Sequence, residues 1–329
     1  MTSTKSIEPK LAPFETVPLG VLSERPLVSI VVPSFNQGKF IGDTIRSILE
    51  QDYRPLKIHV MDGASTDNTV KVLESFGDLP ELDWVSEPDN GVVEAVNKAF
   101  ARAEGEVIGI QSSDDLYHPG AISTMVEKLQ EYQDHGLLYG DMETIGEQGE
   151  HLFQTSIAPF SIEHFLSKQT WVPQSSAFFR RELLDACGGW DSRYFSADTE
   201  LWMRFVFRTK VKKLDLCLSQ RRVHDDQRNH QAAKIADAYR RMVKDSADIP
   251  RASKSCQRAA VAGTHIHSIR YNATESNVRA SLHLWQALFA DPSLWPKYKN
   301  SLLLIPGWVN VRILLSKLKR LVLRKPANA

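Results

Sequence analysis

The densest group of chemically capable residues in this 329-residue chain is Ser113-Asp114-Asp115, which follows the apolar run Val107-Ile-Gly-Ile110. Adjacent carboxylates at the end of a buried strand repel one another, which costs stability unless a cation or a hydrogen-bond donor neutralises them. Mg²⁺ or Mn²⁺ does this through oxygen ligands while leaving positions for substrate phosphates. The competing reading is that Asp114 or Asp115 only caps a helix starting near Pro119. Asp62 could accept hydrogen bonds from a ribose or a base, or serve as the turn residue before Gly63. Phe35, just past another apolar run, could stack on a nucleobase or belong to the core. The loop Pro33-Ser-Phe-Asn-Gln-Gly38 contains neither GxGxxG nor a Walker A sequence, which argues against a dinucleotide fingerprint.

These residues need elements to hold them. Leu27–Val32 is a short β-branched run ended by Pro33, the pattern of a buried parallel strand. Ile41, Ile45, Ile48 and Leu49 share one helical face. Further strands are expected at Leu56–Met61, Asp83–Val85 and Val107–Ile110, with helices from Thr66 or Asp67 and over 91–103. Alternation of this kind implies right-handed crossovers and a parallel sheet. The polar loops Ser34–Asn36, Asp62–Asp67, Glu87–Asn90 and Ser112–Asp115 then meet at the carboxyl edge of the strands, where open α/β sheets bind ligands. After Tyr139 the alternation fades. Gly146–Gly149 reads as a hairpin turn, Ser175–Phe179 as a strand, 198–208 as a helix, and Val211–Leu216 and Leu218–Val223 as two short strands. From about 228 the pattern is helical, with Ala259–Pro292 suited to a helical hairpin.

Composition bounds the rest. Apolar residues make up 42% and charged residues 24%, which excludes wholesale disorder and fibrous architectures. Cys187, Cys217 and Cys256 are an odd number without CxxC spacing, so neither a disulfide framework nor a structural zinc is expected and a reducing compartment is. No secretory signal is read in Met1–Pro13, and no apolar run approaches the length of a membrane span. The net charge of zero hides a polarity. Beyond Asp291 the sequence has eight basic and no acidic residues, while the remainder has 32 basic against 40 acidic.

Taken in order, the motifs form a recognisable series. Val28-Ser-Ile-Val-Val-Pro-Ser-Phe-Asn36 with Ser47–Gln51, Met61-Asp-Gly-Ala-Ser-Thr-Asp-Asn-Thr69, and Ser86-Glu-Pro-Asp-Asn-Gly91 with Ala95 and Asn97 come first. Gly105, Ser113-Asp-Asp115, Pro119-Gly120, Gln174–Arg181, Gly188-Gly189, Ala197–Arg204 and Arg222-Val-His224 follow. Over roughly 27–225 the series resembles the inverting family 2 glycosyltransferases. The resemblance implies a GT-A fold, an α/β Rossmann-like mixed sheet, here with a helical C-terminal appendage. It also implies sugar transfer from a nucleotide-diphosphate donor with inversion. Pro33, Ser34 and Phe35 would lie along the nucleobase with Asp62 nearby, and Asn36 would belong to the nucleotide and donor site. Asp89, Asn97 and Ser113 would contribute to the donor site, and Asp114 would face the ribose or sugar. Asp115 would hold the Mg²⁺ or Mn²⁺ on the diphosphate, as in the family's DxD-type element, with His224 approaching the metal. Asp198 would be the general base, since inverting transfer needs one base opposite the leaving group.

Two positions depart from the family pattern. The acid that often follows the residue matching Asp62 is Gly63, and the partner preceding Asp198 is Ala197. Each assigned residue also has a plainer role. Asp198 would cap the helix carrying Leu201, Trp202, Phe205 and Val206, with Glu200 as a rival base. His224 would be a surface histidine, and Asp89, Glu94 and Asn97 would only shape polar surface. The runner-up activities are nucleotidyl transfer and non-catalytic binding of a sugar nucleotide.

The expected organisation is a flexible leader over 1–25, a GT-A domain over 26–227, and a helical region over 228–329. That region ends in a basic amphipathic helix at 308–324 that could lie on an anionic membrane. The alternative is a terminal helix docked on the protein itself. A cytoplasmic enzyme, peripheral on the inner face of the membrane, would then use a saccharide or lipid-linked acceptor in surface polysaccharide assembly. No aromatic or motif pattern accompanies the charges, so nucleic acid is not an expected partner.

Overall fold

The computed structural model describes residues 15–224, 232–272 and 277–302. They fall into two compact units. The first takes in the chain up to Phe160, Trp171–Arg193 and Ala197–Asp226; the second takes in Ser161–Thr170, Tyr194–Ser196 and the chain from Gln227.

The first unit is built on β1 (Val28–Ser34), whose seven residues are all buried. It pairs in parallel with β2 (Leu56–Asp62) on one side and β4 (Val107–Ile110) on the other. A strand paired on both edges and covered on both faces is largely apolar, which is why β1 reads as a near-continuous run interrupted only by Ser29 before its carboxyl end. β3 (Leu82–Ser86) extends the parallel set beyond β2. The crossovers are α1 (Ile41–Leu49), α2 (Thr69–Glu74) and α3 (Val92–Arg102). Ile41, Ile45 and Ile48 of α1 are fully buried in the core that also contains Ile30, Ile58 and Val60.

Beyond β4 the sheet turns mixed. The short β5 (Leu116–Tyr117), α4 (Ala121–Glu131), β6 (His135–Ile145) and β7 (His151–Thr155) come next, then β8 (Ala177–Arg180), α6 (Arg181–Cys187), α7 (Ala197–Phe205) and β9 (Lys210–Arg222), with α5 (Ile162–Leu166) belonging to the second unit. The strand order is β3-β2-β1-β4-β8-β6-β9-β5, with β7 on β6. β8 is antiparallel to both β4 and β6, whereas β6 and β9 run parallel.

The two strands expected over 211–223 are one strand with a bulge. Tyr139 pairs with Lys213 and Asp141 with Cys217, so β9 carries two extra residues there. At the bulge Gly140 meets the carbonyl of Leu216 at a distance no side chain would allow. The helix after the Asp-Asp pair begins at Ala121 behind Gly120, which adopts φ 74°. Neither Asp114 nor Asp115 caps it.

The leader also differs from expectation where it is described. Residues 15–25 have no regular structure but are tied down. Val17 N–H donates to the Arg208 carbonyl (3.0 Å), Gly20 N–H to Glu182 (3.1 Å) and Ser23 N–H to Glu106 (3.0 Å). These bonds reach acceptors up to 191 residues away, as Val17 and Arg208 do, which local periodicity does not register.

The second unit contains α5, α8 (Ala232–Asp245), α9 (Lys254–Asn272), α10 (Asn277–Ala290) and α11 (Trp295–Leu302). α9 and α10 form the anticipated hairpin around Ala262, Ile266, Leu284, Ala287 and Leu288. α5 joins this unit through Leu166, whose carbonyl accepts the Tyr239 hydroxyl at 2.5 Å. No helix among the described residues is long and apolar enough to cross a membrane. The amphipathic segment 308–324 lies outside the described residues.

Candidate active site

At the carboxyl edge of β1 and β2 two loops are laced together. Asn36, at φ 53°, donates its N–H to Ser65 Oγ (2.7 Å) and accepts the Thr66 N–H on Oδ1 (2.9 Å). Gln37 N–H reaches Thr69 Oγ1 (2.9 Å), and Gly38 N–H reaches Asp67 (2.9 Å). Asparagine tolerates this left-handed conformation better than other side-chain-bearing residues. Asp62, only 1% exposed, accepts Ser65 N–H (2.9 Å), Ser65 Oγ–H (2.5 Å) and Ser86 Oγ–H (2.7 Å), binding the ends of β2 and β3 together.

Of the residues expected at the nucleotide from this loop, Pro33 and Ser34 are buried and Asn36 is engaged in the lacing. Phe35 is 58% exposed and presents the open aromatic face. Asp89 accepts Gly91 N–H (2.7 Å), and its carboxylate lies over Gly63. A methyl group at position 63 would meet Asp89 Oδ2 at 2.8 Å. The missing acid at 63 and the presence of Asp89 are therefore linked: the glycine makes room for that carboxylate.

The Asp-Asp pair is held differently. Asp115 is buried, and its Oδ1 accepts the backbone N–H of Arg222 (2.9 Å). Burial, and after it the neighbouring Asp114 carboxylate, push the Asp115 carboxyl well above the usual range. Asp114 Oδ2 lies 3.0 Å from His224 Nε2, and the His224 ring packs on Phe40 at 4.7 Å between centroids. Arg222 clamps the group, donating to the carbonyls of Asp114 (3.0 Å) and Glu147 (2.8 Å) and lying 5.2 Å above Phe40. Arg222 and Phe40 had no assigned role in the sequence; only the approach of β9 to the β4 loop reveals it. Nearby, the Ser34 hydroxyl and both ends of the Gln111 amide are buried without a hydrogen-bond partner. Such orphaned groups at the ends of two paired central strands carry a desolvation cost.

Among the described residues no group of three His, Cys, Asp or Glu side chains is preassembled to hold a metal. The donors nevertheless fit a Mg²⁺-type ion, which needs one or two carboxylates and is completed by water and phosphate. Asp114 and Asp115 supply hard oxygens. His224, expected to approach the metal, has its Nε2 3.0 Å from Asp114 Oδ2.

Two other assignments change. Asn97, expected at the donor, uses both ends of its amide on the backbone of Trp190: Nδ2 donates to the carbonyl (2.9 Å) and Oδ1 accepts the N–H (2.8 Å). It braces a loop. Glu200, the rival base, forms a two-pronged pair with Arg204 (2.8 and 2.7 Å). Arg204 in turn holds the carbonyls of Cys187, Gly188 and Gly189. Burial raises the Glu200 carboxyl pKa, with Arg204 opposing. Asp198 lies half-buried inside the first turn of α7, one residue past its start, so it is not the residue preceding the helix.

The profile of glycosyl transferase family 2 matches residues 29–188. An uncharacterized glycosyltransferase of Mycobacterium tuberculosis is 32% identical over 188 residues, covering 56% of this chain and 70% of the relative. The chain belongs to glycosyl transferase family 2. The transferase has the GT-A fold of two solved structures. Residues 1–349 of S. aureus TarS in complex with UDP-GlcNAc match with a TM-score of 0.62 at 15% identity, over 80% of this chain and 81% of that one. The mannosyltransferase PcManGT from Pyrobaculum calidifontis in complex with GDP-Man and Mn²⁺ matches with a TM-score of 0.58 at 20% identity, over 94% and 85%. Family membership makes the chain a glycosyltransferase, and the nucleotidyltransferase and binding-module readings fall away.

Proposed function

We propose that the transferase moves a sugar from a nucleoside-diphosphate donor to a saccharide or lipid-linked acceptor hydroxyl, with inversion. The observation that supports this most is the Asp115 carboxyl, buried beside Asp114 at the carboxyl edge of the parallel strands with its pKa pushed up. A divalent cation held by Asp114 and Asp115 would offset the charge that grows on the departing diphosphate.

The remaining roles fall to the chain's own residues. Phe35 stacks on the nucleobase, while the Asn36–Ser65–Asp62 lacing holds that loop rigid. Asp89, above Gly63, offers a carboxylate to the base or ribose. Arg222 and His224 keep the Asp-Asp loop in place. Asp198 takes the proton from the acceptor hydroxyl as the new bond forms, and a carboxylate of ordinary basicity suffices when it lies within hydrogen-bond reach. A place in surface polysaccharide assembly is the expectation carried by the family resemblance.

The test is thermal stabilisation by a panel of nucleoside diphosphates, with and without Mn²⁺, on wild type and Asp115→Ala. The expected result is stabilisation by one nucleotide, dependent on Mn²⁺ and lost in the variant. Stabilisation of both proteins alike, with or without the ion, would remove Asp115 from the donor site.

A further inference from the structure

α10 has two apolar faces, and among the described residues only one is covered. Leu284, Ala287 and Leu288 pack on Ala262 and Ile266 of α9 and on Leu294, and Ala280 is buried as well. The other face consists of Leu282, Trp285 and Phe289, spaced three and four residues apart and exposed by 57%, 43% and 79%. Trp295, at the start of α11 and 46% exposed, places its ring 6.3 Å from that of Trp285, while Phe289 lies 5.9 Å from Trp285 on α10 itself. Isolated surface apolar residues need no explanation, but a contiguous aromatic cluster marks an interaction surface.

Charge selects the partner. Among the described side chains of α9 to α11 the one acid is Asp291, which is buried and accepts from Ser293 N–H (3.1 Å) and Oγ–H (2.7 Å). From Lys254 to the end the sequence has twelve Lys and Arg residues against two acids, Glu275 and Asp291, and six of the twelve lie after Leu302. A second copy meeting this face would bring like charges together. The segment 303–329, laid over the cluster, would add positive charge to positive charge.

We propose that the Leu282–Trp285–Phe289–Trp295 face docks on an anionic lipid bilayer. Its aromatic rings enter the headgroup region, and basic residues of the same stretch of chain, such as Lys297 two residues from Trp295, meet lipid phosphates. Indole rings suit that interface because one edge is apolar and the other donates a hydrogen bond. Basic residues add attraction to an anionic leaflet that salt weakens. The inference is independent of the donor chemistry proposed above.

The experiment is co-sedimentation of the full chain with phosphatidylcholine vesicles and with vesicles containing phosphatidylglycerol. It is run on wild type, on Trp285→Ser/Phe289→Ser, and on Phe289→Ser alone in case the double variant does not fold. Wild type should bind the phosphatidylglycerol vesicles in a salt-sensitive manner. The double variant should partition about tenfold more weakly or worse, since each ring contributes buried apolar area. Circular dichroism should be unchanged, as should nucleotide-dependent stabilisation, which keeps this test separate from that of the donor site. Equal binding by wild type and variants overturns the proposal, as does absence of wild-type binding. A wild-type dimer that the substitutions dissociate, with vesicle binding unaffected, assigns the face to a second copy. Loss of binding to an RNA oligonucleotide, with vesicle binding unaffected, assigns it to nucleic acid.

Discussion

The loops after β1, β2 and β3 and the loop after β4 draw on the same residue types, yet they treat their carboxylates in opposite ways. Asp62 and Asp67 have their oxygens engaged by serine, threonine and backbone donors. Asp115 has one backbone donor, lies against a second carboxylate, and has its pKa pushed up by burial and that neighbour. The first arrangement is complete without a ligand and serves as a rigid template. The second is under-neutralised and gains most from an added cation. Identical side chains thus divide into shape and chemistry according to how many donors the fold aims at them.

The largest effect that would sharpen this contrast lies outside both loops. Asp198→Asn should lower kcat by about 10²–10⁴-fold, the usual contribution of a general base, with nucleoside-diphosphate binding intact. Glu200→Gln should instead lower the melting temperature by loosening Arg204, with a much smaller change in kcat. The reverse pattern would exchange the two residues' roles.

Within the template, Asp62→Ala removes the acceptor for three donors. It should destabilise the apo protein by about 1–3 kcal/mol, the cost of leaving buried partners unsatisfied, as read by denaturant unfolding. Asp115→Asn should behave oppositely. The amide oxygen can still accept the Arg222 N–H while the like-charge repulsion disappears, so apo stability should hold or rise as Mn²⁺-dependent stabilisation is lost. Equal destabilisation by both substitutions would erase the distinction between the regions.

Gly63→Ala probes the link to Asp89. Its methyl group displaces that carboxylate, and nucleotide affinity should fall several-fold with little change in melting temperature. The smallest effect is at the edge of β3. There the Arg102 guanidinium, with help from His59, holds the Asp83 carboxyl below its ordinary range. A depressed carboxylate contributes stability that is present above the unfolded-state pKa and lost as pH falls through the folded value. Arg102→Gln should therefore lower stability slightly at neutral pH, with the difference from wild type vanishing as pH falls through the range in which Asp83 protonates, as read by unfolding at a series of pH values.

Much of the first unit could be read along the chain. The strands β1, β2 and β4 were visible because central parallel strands are apolar on both faces. Their following loops were visible because polar residues cluster where strands end. The bulge in β9 looked like a break between two strands, since local pattern alone does not distinguish a bulge from a turn. Residues 15–25 looked free because their acceptors lie far along the chain, at Glu106, Glu182 and Arg208.

The sequence by itself determined which elements form, on which edge their polar loops gather, and which family the motifs belong to. These are local matters of periodicity, side-chain type and order. Only the tertiary structure decided which polar group serves which purpose. Asn97 turned from a donor contact into a brace for Trp190, 93 residues away. Asp115 acquired its donor from Arg222, 107 residues away. Glu200, the rival base, is paired with Arg204, a neighbour one helical turn along whose other partners lie 15–17 residues back. A buried polar group takes its function from the partners that folding brings to it, and those partners are set by strand order and loop approach.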